Sequence, residues 1–185
     1  MSELLFNELP RPTFRWLRVN HTVSSLAGED TAVQSIAVEA NKNILSPLPV
    51  GTALLDGNYE GANKEAVHVL VEKAEGYAIN VPPKAKEVVG IRIDANARVA
   101  NRFQFIVGEG AELEVQFYVT GSGDALTNVS YLNEYDVKEA GKVVVKKVNL
   151  LPEHVQHIEH RYTKLEEKAD VEYINIEIGG SENIL

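Results

Sequence analysis

The sequence predicts an all-β chain, coiled as a β-solenoid from about residue 33 onward and preceded by a short N-terminal lead-in segment. Three observations predict it. Apolar and polar residues alternate along much of the chain after residue 33, which is the period-2 signature of strands with one buried face. A repeat then runs through the second half: "VGEGAELEVQFYV" (107–119), "VKEAGKVVVKKVN" (137–149) and "LEEKADVEYINIE" (165–177) share one layout. In each, an apolar residue is followed by a glutamate, a small-residue turn and an alternating strand. Glu109, Glu139 and Glu167 head equivalent turns, 30 and then 28 residues apart. A fixed period of that size in an all-β chain points to coils stacked on a shared core. Third, there is little sign of a long amphipathic helix. An antiparallel meander, with "GEGA" and "KEAG" as hairpin turns, fits the alternation equally well. The solenoid is preferred because the repeat unit is longer than a hairpin needs.

Residues 1–32 form the lead-in segment. Pro10 and Pro12 bias their predecessors toward extended backbone. "TFRWLRVN" suits a short helical turn from Thr13, with Phe14 and Leu17 three apart and Trp16 anchoring the segment to the body. Residues 33–185 form the core. "SIAVEA" alternates, with Ile36 and Val38 on one side. "ILSPLPVGTALLDG" breaks short apolar runs with prolines and glycines. "GANKEAVHVLVEKAEG" is the best helix candidate, but Val67, Val69 and Val71 alternate and are β-branched, so a strand is expected. The stretch from "VVGIRID" to "VQFYV" is a series of strands. In the last strand, "VEYINIEIGG", Val171, Tyr173, Asn175 and Glu177 share one side, and Glu172, Ile174, Ile176 and Ile178 the other.

The 185 residues suit one domain, 44% of them hydrophobic and 24% charged, an ordinary globular balance. The net charge of −9 and the absence of any long basic stretch argue against nucleic acid as a partner. "RPTFRWLR", with Arg11, Arg15 and Arg18, is too short to change that. With no cysteine, disulfides and thiolate ligands are excluded. "MSELLFNELPRP" lacks the form of a signal peptide, and no run approaches a membrane span, so a cytoplasmic protein is expected. G-x-x-x-x-G-K-[ST] occurs nowhere, "GSGDAL" (121–126) precedes no helix, and there is no G-x-S-x-G elbow. This chain alone is therefore expected neither to hydrolyse ATP nor to bind a cofactor of its own.

The densest cluster of chemistry-bearing residues is "EHVQHIEHR" (153–161), with His154, His157 and His160. These three are the only metal-ligand candidates. On an extended strand His154 and His160 share a face and His157 points away, so the three do not converge on one ion. The expected reading is a histidine-bearing coil face, with imidazoles hydrogen-bonding along it. Paired carboxylates such as Glu112/Glu114 and Glu166/Glu167 suit solvated turns and strand faces.

Taken together, several segments resemble the SufB/SufD family. "NELPRPTFRWLRVN" resembles the Pro–Thr–aromatic–Arg segment before that family's core domain. "FIVGEGAELEVQFYVTGSG" (105–123) resembles one of its coils, and residues 126–180, with the histidine-containing strand and the closing Gly–Gly, resemble the next two. The likeness rests on order and spacing over most of residues 5–180. It implies a right-handed parallel β-helix and a scaffold role in Suf-type iron–sulfur cluster assembly, beside a SufB-like subunit and a SufC-like ABC-type ATPase. In that family the cluster-handling cysteine, glutamate and histidine, and the helical segment that contacts the ATPase, lie in a later part of the protein. This sequence stops at "GGSENIL", before either, so the core is expected to be incomplete relative to the family and no site residue carries over. A cluster is expected only in the assembled complex. The lack of cysteine resembles SufD more than SufB. The competing expectations are a stand-alone β-solenoid binding or structural module without a Suf role, and a small metal-dependent enzyme using the three histidines. Self-association through residues 170–185 is also expected, because a last strand with unpaired backbone groups invites a partner strand.

Overall fold

A computed structural model describes residues 4–6, 22–24, 36–55, 59, 64–96, 98–121 and 127–184. Within the lead-in segment, β1 (Leu4–Phe6) pairs antiparallel with β2 (Thr22–Ser24). The helical turn expected from Thr13, and Trp16 with it, lie outside the described residues. Next come β3 (Ile36–Glu39), β4 (Leu45–Leu48) and α1 (Lys64–Lys73). The solenoid proper follows, in about four turns. Its first coil is β5 (Gly76–Val81) and β6 (Lys86–Asp94), and its second is β7 (Val99–Val107) and β8 (Glu112–Thr120). The third is β9 (Thr127–Val137) and β10 (Lys142–Leu151), and the fourth β11 (Val155–Leu165) and β12 (Asp170–Gly179). The short β13 (Glu182–Ile184) begins another layer.

The first strand of each coil stacks in one sheet, ordered β13-β11-β9-β7-β5-β4, and the second in the other, ordered β12-β10-β8-β6-β3. From β5 onward every pairing is parallel. This decides against the meander. "FQFIV" does not fold back on "LEVQFYV": Phe103 pairs with Tyr77 and Asn133, and Phe117 with Ile91 and Lys147. Within these two sheets only β3 and β4 run antiparallel, against β6 and β5, and they close the first-coil edge of each.

The stretch "KEAVHVLVEK" is helical, contrary to the strand expected from its alternating valines. Val67, Leu70, Val71 and Ala74 are buried at the i, i+3, i+4, i+7 spacing of one helix face, with Ala66 buried beside them, while His68 is exposed. With Tyr59 and Leu132 they form a small core of their own on the outside of the β7–β9–β11 sheet. The valine alternation coincided with a helical stripe, and this tertiary contact overrode β-branching.

Inside the first two coils the core is hydrocarbon except for the buried Asn101. Val89, Ile91 and Ile93 face Phe103, Phe105 and Val107, with Val115, Phe117 and Val119 one layer further on. Aromatic rings stack between coils, Phe105 on Tyr135 at 4.7 Å and Phe117 on Tyr131 at 5.7 Å.

The glutamate-headed turns stack as the repeat predicts. Gly110 donates its amide to Glu139 O and Ala140 to Glu167 O, each at 2.9 Å. A fourth turn, not visible in the glutamate pattern, joins them: Lys84 donates to Glu109 O at 2.9 Å. All four carry a left-handed residue, Lys84, Gly110, Ala140 and Lys168, with φ from 55° to 62°. That conformation costs a residue with a Cβ roughly 1–2 kcal/mol, so Ala140→Gly is expected to raise stability by about 1 kcal/mol and Gly110→Ala to lower it by as much. A Cβ at Gly110 meets nothing closer than Lys84 Cγ at 3.8 Å, so backbone conformation alone sets the cost. Urea unfolding midpoints of the two variants check the signs.

Candidate functional site

The alternation that builds the hydrocarbon core continues into the third and fourth coils, but the residue types change. Following one inward column across the coils, Ile91 and Phe117 give way to Lys147 and Asn175. In the next, Ile93 and Val119 give way to Asn149 and Glu177. On the facing sheet, Val99 and Val129 lead to His157, Asn101 and Tyr131 to Glu159, and Phe103 and Asn133 to Arg161. The last two coils thus gain a buried charged cluster beside Val143, Val145 and Tyr135, whereas the first two are hydrocarbon but for Asn101.

These side chains meet in one network. Glu159 lies at its centre. Its Oε1 accepts from Asn133 Nδ2 at 2.7 Å and Arg161 Nε at 2.6 Å. Its Oε2 accepts from Lys147 Nζ at 2.6 Å, Arg161 Nη2 at 2.8 Å and Tyr131 Oη at 3.3 Å. Lys147 also bridges to Glu177 at 2.5 Å. Asn149 donates to Glu177 at 2.7 Å and lies 3.1 Å from His157 Nδ1, and His157 Nε2 lies 3.1 Å from the Tyr131 hydroxyl. A neutral imidazole protonated at Nε2 satisfies both His157 contacts. The Arg161 guanidinium stands 4.7 Å over the Tyr173 ring, and with its amide oxygen turned inward Asn175 accepts from both terminal nitrogens at 3.1 Å.

The electrostatics follow from burial and pairing. Burial alone would raise the Glu159 carboxyl, but the Arg161 hydrogen bonds and the Lys147 charge outweigh it and hold the group down at about 2. Burial, reinforced by the Lys147 ammonium, pushes His157 down to about 4. Burial also pushes up the Tyr131 hydroxyl. The cluster pairs the side chains of Lys147 and Arg161 with those of Glu159 and Glu177 and holds His157 as a neutral imidazole. The charges balance, as they must in a low-dielectric interior. Lys147 and Glu159 are shut away from solvent, whereas the Arg161 and Glu177 side chains keep 19% and 20% of their surface.

Of the three histidines singled out by sequence, only His157 belongs to this network. His154 lies in the turn before β11 instead of on the strand. His160 is on the opposite face of β11, beside Leu132, and is buried there, with its imidazole also pushed down to about 4 by burial. The structure does not bring the three together. Nor is the strand an exposed coil face: from His157 to His160 both of its faces are covered. Lys147, Asn149 and Glu177 escaped sequence reasoning. The signal that finds them is the repeat itself, because aligning the coils on their stacked turns puts these residues at the inward positions of Ile and Val.

A second buried polar group clamps the outer layer onto the solenoid. Arg102 lies on the outer face of β7 and is fully buried. It donates to Ala74 O at 3.0 Å, Pro49 O at 2.7 Å and Thr52 O at 2.5 Å. Glu134 accepts from Tyr59 at 2.6 Å, Gln104 at 3.0 Å and the Leu54 amide at 3.1 Å. These bonds satisfy loop carbonyls that the covering segment would otherwise bury unpaired.

Fold and interior together define a parallel β-solenoid with an ionic core in its last two coils. In comparisons with known proteins, no family model, no curated protein and no solved structure matches the chain. No helix among the described residues is long and apolar enough to cross a membrane.

Proposed function

We propose that this chain is a non-enzymatic scaffold component of SufB/SufD-type iron–sulfur cluster assembly, cytoplasmic and working with a SufB-like subunit and an ABC-type ATPase. The observation that carries this reading is where the resembling segments fall. Residues 105–123 cover most of the second coil and residues 126–180 the third and fourth, so the likeness runs along the structural repeats. The missing phosphate loop agrees with an ATPase supplied by a separate chain. Parallel coils give such a scaffold stiffness, since each layer is bonded to the next along its length.

The test is co-expression of the native reading frame with an ABC-type ATPase encoded beside it and a SufB-like subunit. A complex that co-purifies, and that gains a stable visible chromophore on anaerobic reconstitution with iron and sulfide, is expected. The present chain alone is expected to stay colourless. A reading frame with no ATPase neighbour, or a chain that binds neither protein, overturns the proposal.

A further inference from the structure

The outer face of the β6–β8–β10–β12 sheet differs from that of its counterpart. On the β7–β9–β11 sheet, outward apolar residues such as Leu132 are covered by α1 of the same chain. On the β10–β12 side they lie open. Ile174, Ile176 and Ile178 of β12 are 45% to 58% exposed, Leu150 of β10 is 37% exposed, and Val148 between them is only half-buried. Isoleucines in a row on the water side of a regular strand form a contiguous apolar patch, not scattered exposure.

The charges beside this patch say what fits it. Along the outer face of β10 the residues are Lys142, Val144, Lys146, Val148 and Leu150: a basic half, in which Lys146 also bridges Glu114 of β8 at 2.8 Å, then an apolar half. Along β12 they are Asp170, Glu172, Ile174, Ile176 and Ile178: an acidic half, then an apolar half. The two strands are neighbours in register, Lys142 beside Asp170 and Leu150 beside Ile178. A twofold axis parallel to the strands and midway between them lays β10 of one copy over β12 of the other without reversing their direction. Asp170 of the second copy then faces Lys142, and its Glu172 falls between Lys142 and Lys146. Its Ile174 falls over the aliphatic stem of Lys146, its Ile176 meets Val148, and its Ile178 meets Leu150. The other in-plane twofold, across the strands, would set the acidic half of β12 over isoleucines.

We infer that this face is the contact between two copies of the chain, packed sheet on sheet about that strand-parallel twofold. Aligned sheets pack in this way roughly 10 Å apart with interdigitating side chains, and a twofold contact of this kind is self-complementary. It uses the outward face of β12, whereas pairing through the unpaired strand edge would use its backbone. It does not rest on the Suf reading, and its test leaves that reading untouched.

Sedimentation velocity on the whole chain tests it, with circular dichroism confirming that each variant is folded. The wild type is expected to sediment at twice the 20.4 kDa chain mass. Ile176→Lys and Ile178→Lys, both at solvent-facing positions, are expected to sediment as monomers. Asp170→Lys with Glu172→Lys is expected to weaken association about tenfold or more, and adding Lys142→Glu with Lys146→Glu is expected to restore it. A wild type that stays monomeric at its solubility limit overturns the inference. So does a dimer indifferent to Ile176→Lys and Ile178→Lys, which would place the contact elsewhere, or a charge reversal that the second pair fails to rescue.

Discussion

Replacing Lys147 with methionine is expected to cost about 3–5 kcal/mol of folding stability, although methionine is apolar and fits a buried site. The Lys147 side chain is 1% exposed and bridges Glu159 and Glu177. Its removal does not affect the two carboxylates equally. Glu159 keeps Arg161, Asn133 and Tyr131. Glu177 loses the Lys147 ammonium and keeps Asn149. The cost is therefore chiefly that of leaving the Glu177 carboxylate uncompensated. Removing the partner as well, in Lys147→Met with Glu177→Leu, is expected to recover much of the loss, because an apolar pair leaves no charge behind. Urea unfolding at neutral pH measures both. A single variant as stable as the wild type would mean that water reaches Lys147, against the burial described above.

Acidification is expected to destabilise the protein well before ordinary carboxylates titrate. His157 and His160 are both held at about 4 in the fold, against 6.5 for an unperturbed imidazole. Between those values the unfolded chain binds protons that the folded chain does not. The stabilising contribution is thus complete above pH 6.5 and is lost as the pH falls toward 4. Each shift corresponds to on the order of 3 kcal/mol. A second loss follows lower down, because Glu159 sits at about 2 against 4.5, so its contribution is complete above pH 4.5 and fades toward 2. The unfolding midpoint followed against pH reads both steps. His157→Gln and His160→Gln are each expected to flatten the upper one. A midpoint that does not move between pH 6.5 and 4 would show that the two imidazoles are not buried neutral.

The coil architecture was legible because it is written as a repeat: Glu109, Glu139 and Glu167 stand at stacked turns, as their spacing requires. The fourth turn escaped because Pro82-Pro83-Lys84 has no glutamate, although its backbone does the same work. The ionic core escaped for a subtler reason. Alternation shows that "VEYINIEI" has two faces but does not say which turns inward. Hydrophobicity alone sends Ile174, Ile176 and Ile178 inside, and the fold does the opposite. Register decides: Val171 and Tyr173 lie beside Val143 and Val145, already committed to the core, and Asn175 and Glu177 follow them in. That information is non-local, as is the packing that made a helix of residues 64–73.

The change from hydrocarbon to charge along the axis also decides how faithfully the coils align. A stack of aliphatic layers tolerates a two-residue slip, since the same faces still turn inward and valine meets isoleucine either way. The fourth coil has no such freedom on the third. Slipped one way, Asn175 comes to lie beside Val145 and Asn149 beside Gly179; slipped the other, Glu177 comes to lie beside Leu151 and Lys147 beside Tyr173. The first error strands Asn175 against valine, although it sets Glu177 beside Lys147; the second strands Glu177 against leucine and parts it from Lys147. The buried ions work like the teeth of a key. They add little net binding between layers, but only one alignment lets every layer close.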